Sequence, residues 1–267
     1  MTSVRIIGPG RAGRSFGEAF ASVGVEVRGI LGRTDEVGSA AQGVDLVLLA
    51  VPDRAVFEVA SAVRPVRATV MAHCSGAFGL EVLGAHERVA SLHPLLTLPD
   101  PVVGAHRLCS GGYFAVAGDP LATELVGALG GRPFALPAQA RARYHAAACL
   151  ASNHLVALLG QVERIAASVG LPLEAFLPLA QGALDDVRTL GPRAALTGPA
   201  SRNDLITIER HRQALDPEER VGYDAGVALA RRLAASAPPA QAPSPSADSD
   251  RIVDAELAGL AGTGSWR

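Results

Sequence analysis

Short apolar runs alternate with helical stretches through the first half of the chain. Val4-Arg5-Ile6-Ile7 reads as a strand, Arg14 to Val23 as a helix, and Val25 to Leu31 as a second strand. Asp45 to Val51 is apolar almost throughout, the pattern of a parallel strand buried on both faces. Thr69–Ala72, Val89–Leu92 and Tyr113–Ala117 continue the series. Strands that alternate with helices predict an α/β fold with a parallel sheet of the Rossmann type.

After about Leu136 the period changes. Gln139 to about Ala235 is rich in Ala and Leu, with few strand signals. Gly170-Leu171-Pro172, Gly191-Pro192 and Gly198-Pro199 divide it into helices. The expected organisation is an α/β domain over residues 1–137, an all-helical domain over 138–235, available for substrate contact or dimerisation, and a tail over 236–267. Within that tail, Ser236–Asp250 is a Pro-, Ala- and Ser-rich linker, and Arg251–Arg267 forms a short helix at most.

Composition adds boundaries. The chain has 267 residues, 49% of them hydrophobic, enough for one large or two modest cores. A net charge of −2 gives no support to nucleic acid or an acidic membrane as partner. No apolar run reaches the roughly 18 residues of a membrane span. Met1–Arg5 leads straight into a strand, and Cys74, Cys109 and Cys149 show neither pairing nor metal-ligand spacing. The expectation is a reduced, cytoplasmic protein without a structural metal. All 24 Lys-plus-Arg positions are arginine, so no lysine is available as a general acid.

Gly8-Pro9-Gly10-Arg11-Ala12-Gly13 fits G-x-G-x-x-G between a strand and a helix, the context that gives the pattern meaning. Gly8 allows the tight turn, Gly10 the approach of a pyrophosphate, and Gly13 close helix packing, while Arg11 and Ala12 open the helix whose N-terminus meets the phosphates. At the second strand's tip, where an NAD protein usually carries a carboxylate, stand Gly32, Arg33 and Thr34. Arginine and threonine suit a 2′-phosphate, so the expected cofactor is NADP(H). Val51-Pro52-Asp53 ends the next strand, with Val51 and Pro52 walling the nucleotide and Asp53 equally suited to capping a helix.

Two further strand ends carry chemistry: His73-Cys74-Ser75 and Leu92-His93-Pro94. His93 and Ser75 are candidates for catalysis and His73 for substrate contact, although a lone histidine at a strand end is more often structural than catalytic. Downstream, His145, Cys149 and Ser152 recur at i, i+4 and i+7 on one helix face, with Asn153 at its flank. A polar stripe among small apolar residues needs partners, which a cofactor cleft or neighbouring helices would supply. Ser152 and Asn153 are expected to orient substrate and His145 to serve as an acid. The turn Leu196–Asp204 opens a new helix, and its Thr197 and Arg202 are candidates for a substrate carboxylate.

The first half resembles the NADP-binding domains of ketopantoate reductases, pyrroline-5-carboxylate reductases and deazaflavin-dependent NADP oxidoreductases. Over residues 4–233, the ordered set Gly8–Gly13, Val51-Pro52-Asp53, His73–Gly76, Ser91–Pro94, Tyr144–Ala148, Ser152-Asn153 and Leu196–Pro199 resembles a bacterial family of Rossmann-like proteins with a helical C-terminal domain of unassigned function. Some members are regarded as alternative, PanG-type ketopantoate reductases of pantothenate biosynthesis. The resemblance implies an NADPH-dependent oxidoreductase that converts 2-dehydropantoate to pantoate, and a homodimer built through the alanine-rich helices. It also exposes a departure: conventional members pair a catalytic lysine with an asparagine four residues later, and the residue four before Asn153 is Cys149. The alternatives are an imine or deazaflavin-coupled NADP oxidoreductase and a non-catalytic NADP(H) sensor.

Overall fold

The computed structural model describes residues 1–236. The expected linker and tail therefore lie outside the described residues, apart from Ser236. The chain divides into two compact units after Val156.

The first unit is a Rossmann-like α/β domain. Its strands are β1 (Ser3–Ile7), β2 (Glu26–Leu31), β3 (Leu46–Leu49), β4 (Val70–His73), β5 (Val89–Pro94), β6 (Tyr113–Gly118) and β7 (Arg132–Ala135). They form one sheet in the order β2-β1-β3-β4-β5-β6-β7. Helices α1 (Arg11–Ser22), α2 (Val56–Ala62), α3 (Pro101–Leu108) and α4 (Leu121–Ala128) connect them. Alternation along the strands explains the layering. Val4, Ile6, Leu46, Leu48, Val70, Ala72, Ala90 and Leu92 join Phe16 and Phe20 in one core. Ile7, Val47, Leu49 and Met71 join Val56, Ala60 and Val63 in the other. Successive side chains thus serve opposite faces, and both are covered.

The sheet departs from the expected all-parallel arrangement at one edge. β1 to β5 are parallel, but β6 runs antiparallel to β5, and β7 follows β6. Strand β7, Arg-Pro-Phe-Ala, carries a proline and lies at the edge, where a missing backbone donor is tolerated. The reversal brings the starts of β6 and β7 beside the end of β5, the edge at which α/β ligands bind.

The helical region also begins later as a separate unit than residue 138. Helix α5 (Arg141–Cys149) belongs to the first unit because its side chains reach into the sheet. Arg141 donates to the Ser91 Oγ on β5, and Tyr144 shares a hydrogen bond with His93 on the same strand. After α5 a wide π turn spans Leu150–His154, and α6 (Leu155–Ser168) follows.

The second unit, described from Ala157, contains the rest of α6 with α7 (Leu177–Leu190), α8 (Pro192–Ala195), α9 (Leu205–Ala214) and α10 (Pro217–Ala235). The helices stop at the expected Gly-Pro punctuation, with Gly191 at φ +79° between α7 and α8. Arg164 grips Glu219 through two bonds of 2.5 and 3.1 Å, and His211 meets Tyr223 at 2.7 Å. Ala166 and Ile208 are its buried apolar residues, whereas Leu179, Leu190, Ile206 and Val221 are exposed. No single helix among the described residues is long and apolar enough to cross a membrane.

Candidate functional site

The glycine loop follows β1. Gly8 adopts φ +117°, and its N–H donates to the Leu31 carbonyl at 2.8 Å. A side chain there would approach the Ala50 carbonyl oxygen to 2.3 Å. One on Gly13 would come within 1.9 Å of the Gly8 carbonyl, so the helix can lie against the loop only without it. At Gly10 nothing lies within 4 Å. The three glycines therefore do different jobs: a turn, an open approach and a tight contact. No side chain caps α1 at Gly10, so its first-turn N–H groups are available to an anion.

At the tip of β2, Asp35 Oδ2 accepts from the Gly32 N–H at 2.6 Å, and Glu36 accepts from Ser39 Oγ at 2.7 Å. Both nearby carboxylates are engaged in their own turn. Arg33 and Thr34 stand exposed beside them. This tip fits a 2′-phosphate better than a pair of ribose hydroxyls.

A cleft of about 1070 Å³ opens on the carboxyl edge of the sheet, and every residue lining it belongs to the first unit. Gly10, Arg11 and Ala12 form one end, with Val51 and Pro52 beside them. The segment Pro94–Pro99 makes an apolar wall. Facing these are His93, Tyr144, His145, Cys149, Ser152 and Asn153. None of the lining residues is acidic. The π turn widens the helix where Ser152 and Asn153 sit, so both neighbours reach the cleft. Ser152 Oγ lies 2.7 Å from the Ala148 carbonyl and 3.0 Å from Asn153 Oδ1.

One part of the wall is polar. His93 Nδ1 lies 2.7 Å from the Tyr144 hydroxyl, and the ring of His145 stands edge-on to His93 at 6.1 Å. Gly76 makes room for both imidazoles: a side chain there would meet His93 Nε2 at 2.7 Å and His145 Cδ2 at 2.9 Å. Burial, reinforced by His145 and Arg141, pulls His93 down to about 4, so its ring is neutral. Burial also pushes the Tyr144 phenol up to about 12. The phenol ring packs against Phe134 on β7 at 5.9 Å.

Several expected site residues have other work. His73 is fully buried; its Nδ1 accepts from the Ser75 N–H at 3.2 Å and its Nε2 lies 3.0 Å from the Gly79 carbonyl. That pairing fixes the Nε2–H tautomer and leaves no nitrogen for a substrate. Ser75 Oγ accepts from the N–H groups of Ala77 and Phe78, closing a turn, and does not line the cleft. In the second unit, the N-terminus of α9 is occupied by its own Asp204, which accepts from the Thr207 N–H at 3.0 Å. A carboxylate already sits where a substrate carboxylate was expected. Thr197 lines an apolar pocket of about 380 Å³ in that unit, and Arg202 is exposed. Among the described residues no three His, Cys, Asp or Glu are grouped to hold a metal ion.

Two residues escaped the sequence reading. Tyr144 sits in the quoted Tyr144–Ala148 motif, and its place beside a histidine was its only signal. Arg141 carries no signal, because nothing local marks an arginine that turns inward; it is 2% exposed.

Family comparison matches residues 32–97 to a Rossmann-like domain and residues 114–230 to a domain of unknown function (DUF2520). Among solved structures the chain is similar to protein TM1727 from Thermotoga maritima, with 27% identity and a TM-score of 0.64 over 86% of this chain and 98% of that one. It is similar to BF3122 from Bacteroides fragilis, described as a candidate NADP oxidoreductase, with 19% identity and a TM-score of 0.72 over 86% and 98% of the two chains. It is also similar to the Aspergillus terreus reductive aminase in complex with NADPH4, with 16% identity and a TM-score of 0.65 over 86% and 94%. The last two likenesses are of fold. No curated protein sequence matches the chain.

Proposed function

We propose that this chain binds NADP(H) and reduces a small carboxylated keto substrate, with 2-dehydropantoate, reduced to pantoate, as the leading choice. The observation that carries this reading is the continuity of the cleft, which runs from the glycine loop to the polar helix face at Tyr144–Asn153. The first-turn N–H groups of α1 hold the pyrophosphate, Arg33 and Thr34 take the 2′-phosphate, and Val51 and Pro52 wall the nucleotide. When bound, NADPH supplies hydride to the substrate carbon. Ser152 and Asn153 orient the substrate by hydrogen bonds at the widened turn. The absence of acidic side chains from the lining favours an anionic or neutral carbonyl over a cationic iminium. A homodimer would cover the exposed apolar residues of the second unit.

A second reading, imine reduction, is favoured by the likeness to the reductive aminase. NADPH oxidation against 2-dehydropantoate, other α-keto acids and cyclic imines separates the readings. Turnover with keto acids is expected. Turnover confined to imines would replace the first reading with the second, and binding without any turnover would make the protein a sensor.

Arg33→Asp tests the cofactor assignment. NADPH affinity is expected to fall about 100-fold, or ~2.7 kcal/mol, while NADH affinity stays within about twofold. Equal losses for both nucleotides would remove Arg33 from the 2′-phosphate site.

A further inference from the structure

Arg141 is a buried cation that forms no close ion pair among the described residues, and Glu81 acts on it only at longer range. Its guanidinium donates to the Ser91 hydroxyl and, at 3.5 Å, to the Ser75 carbonyl, both neutral acceptors. Holding such a charge away from water is costly unless something nearby becomes negative. One turn later on α5, on the same face, stands Tyr144. Its hydroxyl meets His93 in the cleft wall.

The other candidates for proton donor are poorly suited. The chain has no lysine, and no acidic residue lines the cleft. Ser152 has one hydroxyl proton, and the Ala148 carbonyl lies 2.7 Å away to take it. His93 is held neutral by burial. His145 directs Nε2 toward the Cys149 sulfur at 3.9 Å.

We propose that Tyr144 is the catalytic acid that gives its phenolic proton to the substrate oxygen, with Arg141 and His93 as positioning residues. This rests on the reductase reading. As the carbonyl carbon accepts hydride, the C=O π pair moves onto oxygen. The Tyr144 Oη–H bond breaks, and a new O–H bond forms on that oxygen. The electrons of the broken bond remain on Tyr144 as a phenolate, which the Arg141 charge stabilises and a water proton later neutralises. The alkoxide formed from a ketone is far more basic than a phenol, so the transfer runs downhill.

The 2.7 Å contact then has a required polarity. A phenol has one proton, and if the substrate receives it, His93 must be the donor in the bond to Tyr144. His93 is therefore neutral with its proton on Nδ1. A purely structural pair would be reversed, with Tyr144 donating to Nδ1 and the imidazole proton on Nε2. The two arrangements differ without any turnover being measured.

The test combines two measurements on the full chain. Nitrogen-15 NMR of the imidazoles, with His93 assigned from a His93→Gln variant, is expected to show the Nδ1–H tautomer; Nε2–H overturns the proposal. In kinetics with the best keto substrate, Tyr144→Phe is expected to lower kcat about 100-fold or more with NADPH affinity within about twofold of wild type. A Tyr144→Phe variant as fast as wild type overturns the acid role and leaves the reductase reading standing. A wild-type protein that turns over no keto acid or imine overturns the reading itself.

Discussion

Gly13→Ala is expected to cost both stability and cofactor binding, whereas Gly10→Ala costs binding alone. The methyl group on residue 13 would fall 1.9 Å from the Gly8 carbonyl oxygen. That oxygen belongs to a backbone held on three sides: by its positive φ, by the bond to Leu31 and by contact with Ala50. Relief requires the helix or the loop to move, at about 1–3 kcal/mol, which lowers Tm by roughly 2–4 °C per kcal/mol in a protein of this size. At residue 10 the methyl enters open space, so folding is untouched. It fills the approach to the first-turn N–H groups, and NADPH affinity is expected to fall about 10- to 100-fold, or ~1.4–2.7 kcal/mol. Thermal melts and NADPH titrations of the two variants check this. Equal melting shifts would contradict the assignment of separate jobs to the two glycines.

A second large effect is expected in acid. His93 titrates near 4 in the folded chain against an ordinary value of 6.5, and burial lowers His73 as well. Above pH 6.5 both forms of the chain carry neutral imidazoles, and these groups add no pH dependence. Below it the unfolded chain binds protons that the folded chain refuses, so stability falls as pH drops. His93 alone should remove about 1.4 kcal/mol by pH 5.5 and about 3 kcal/mol near pH 4, where its share levels off. Denaturant unfolding over this range is expected to show the loss, with a shallower slope in His93→Gln. An identical slope in that variant would mean that His93 is not kept neutral by its surroundings.

Much of the fold was legible because alternation and Gly-Pro punctuation are local. Each of β1 to β6 and the breaks between helices of the second unit follow from such patterns. β7 was not legible: Arg132–Ala135 is four residues with a proline and no alternation. The reversed direction of β6 was hidden for another reason, since a strand's sequence does not record which neighbour it pairs with. The unit boundary shifted because Arg141 and Tyr144 tie α5 to β5, a long-range contact that composition does not carry.

The site was partly legible on the same grounds. Helical spacing brought His145, Cys149 and Ser152 together, and strand-end position brought His93 to the cleft edge. The same rule failed for His73. β4 is buried on both faces, so reaching the ligand edge does not decide whether a side chain turns outward or inward. Thr197 and Arg202 failed because Asp204 supplies the anion for its own helix.

The π turn at Leu150–His154 has a bearing on how this site could arise or vanish. A five-residue turn is one residue longer than the regular helix around it. Excision of a single residue there would restore an ordinary ladder and leave the flanking helices in nearly the same rotational register, because the wide turn absorbs its extra residue locally. No side chain outside the turn would have been exchanged, yet Ser152 and Asn153 could no longer both reach the cleft that Tyr144 faces. Among descendants of such a gene, the decisive event for this chemistry is a three-nucleotide gain or loss, which a tally of substituted residues would pass over.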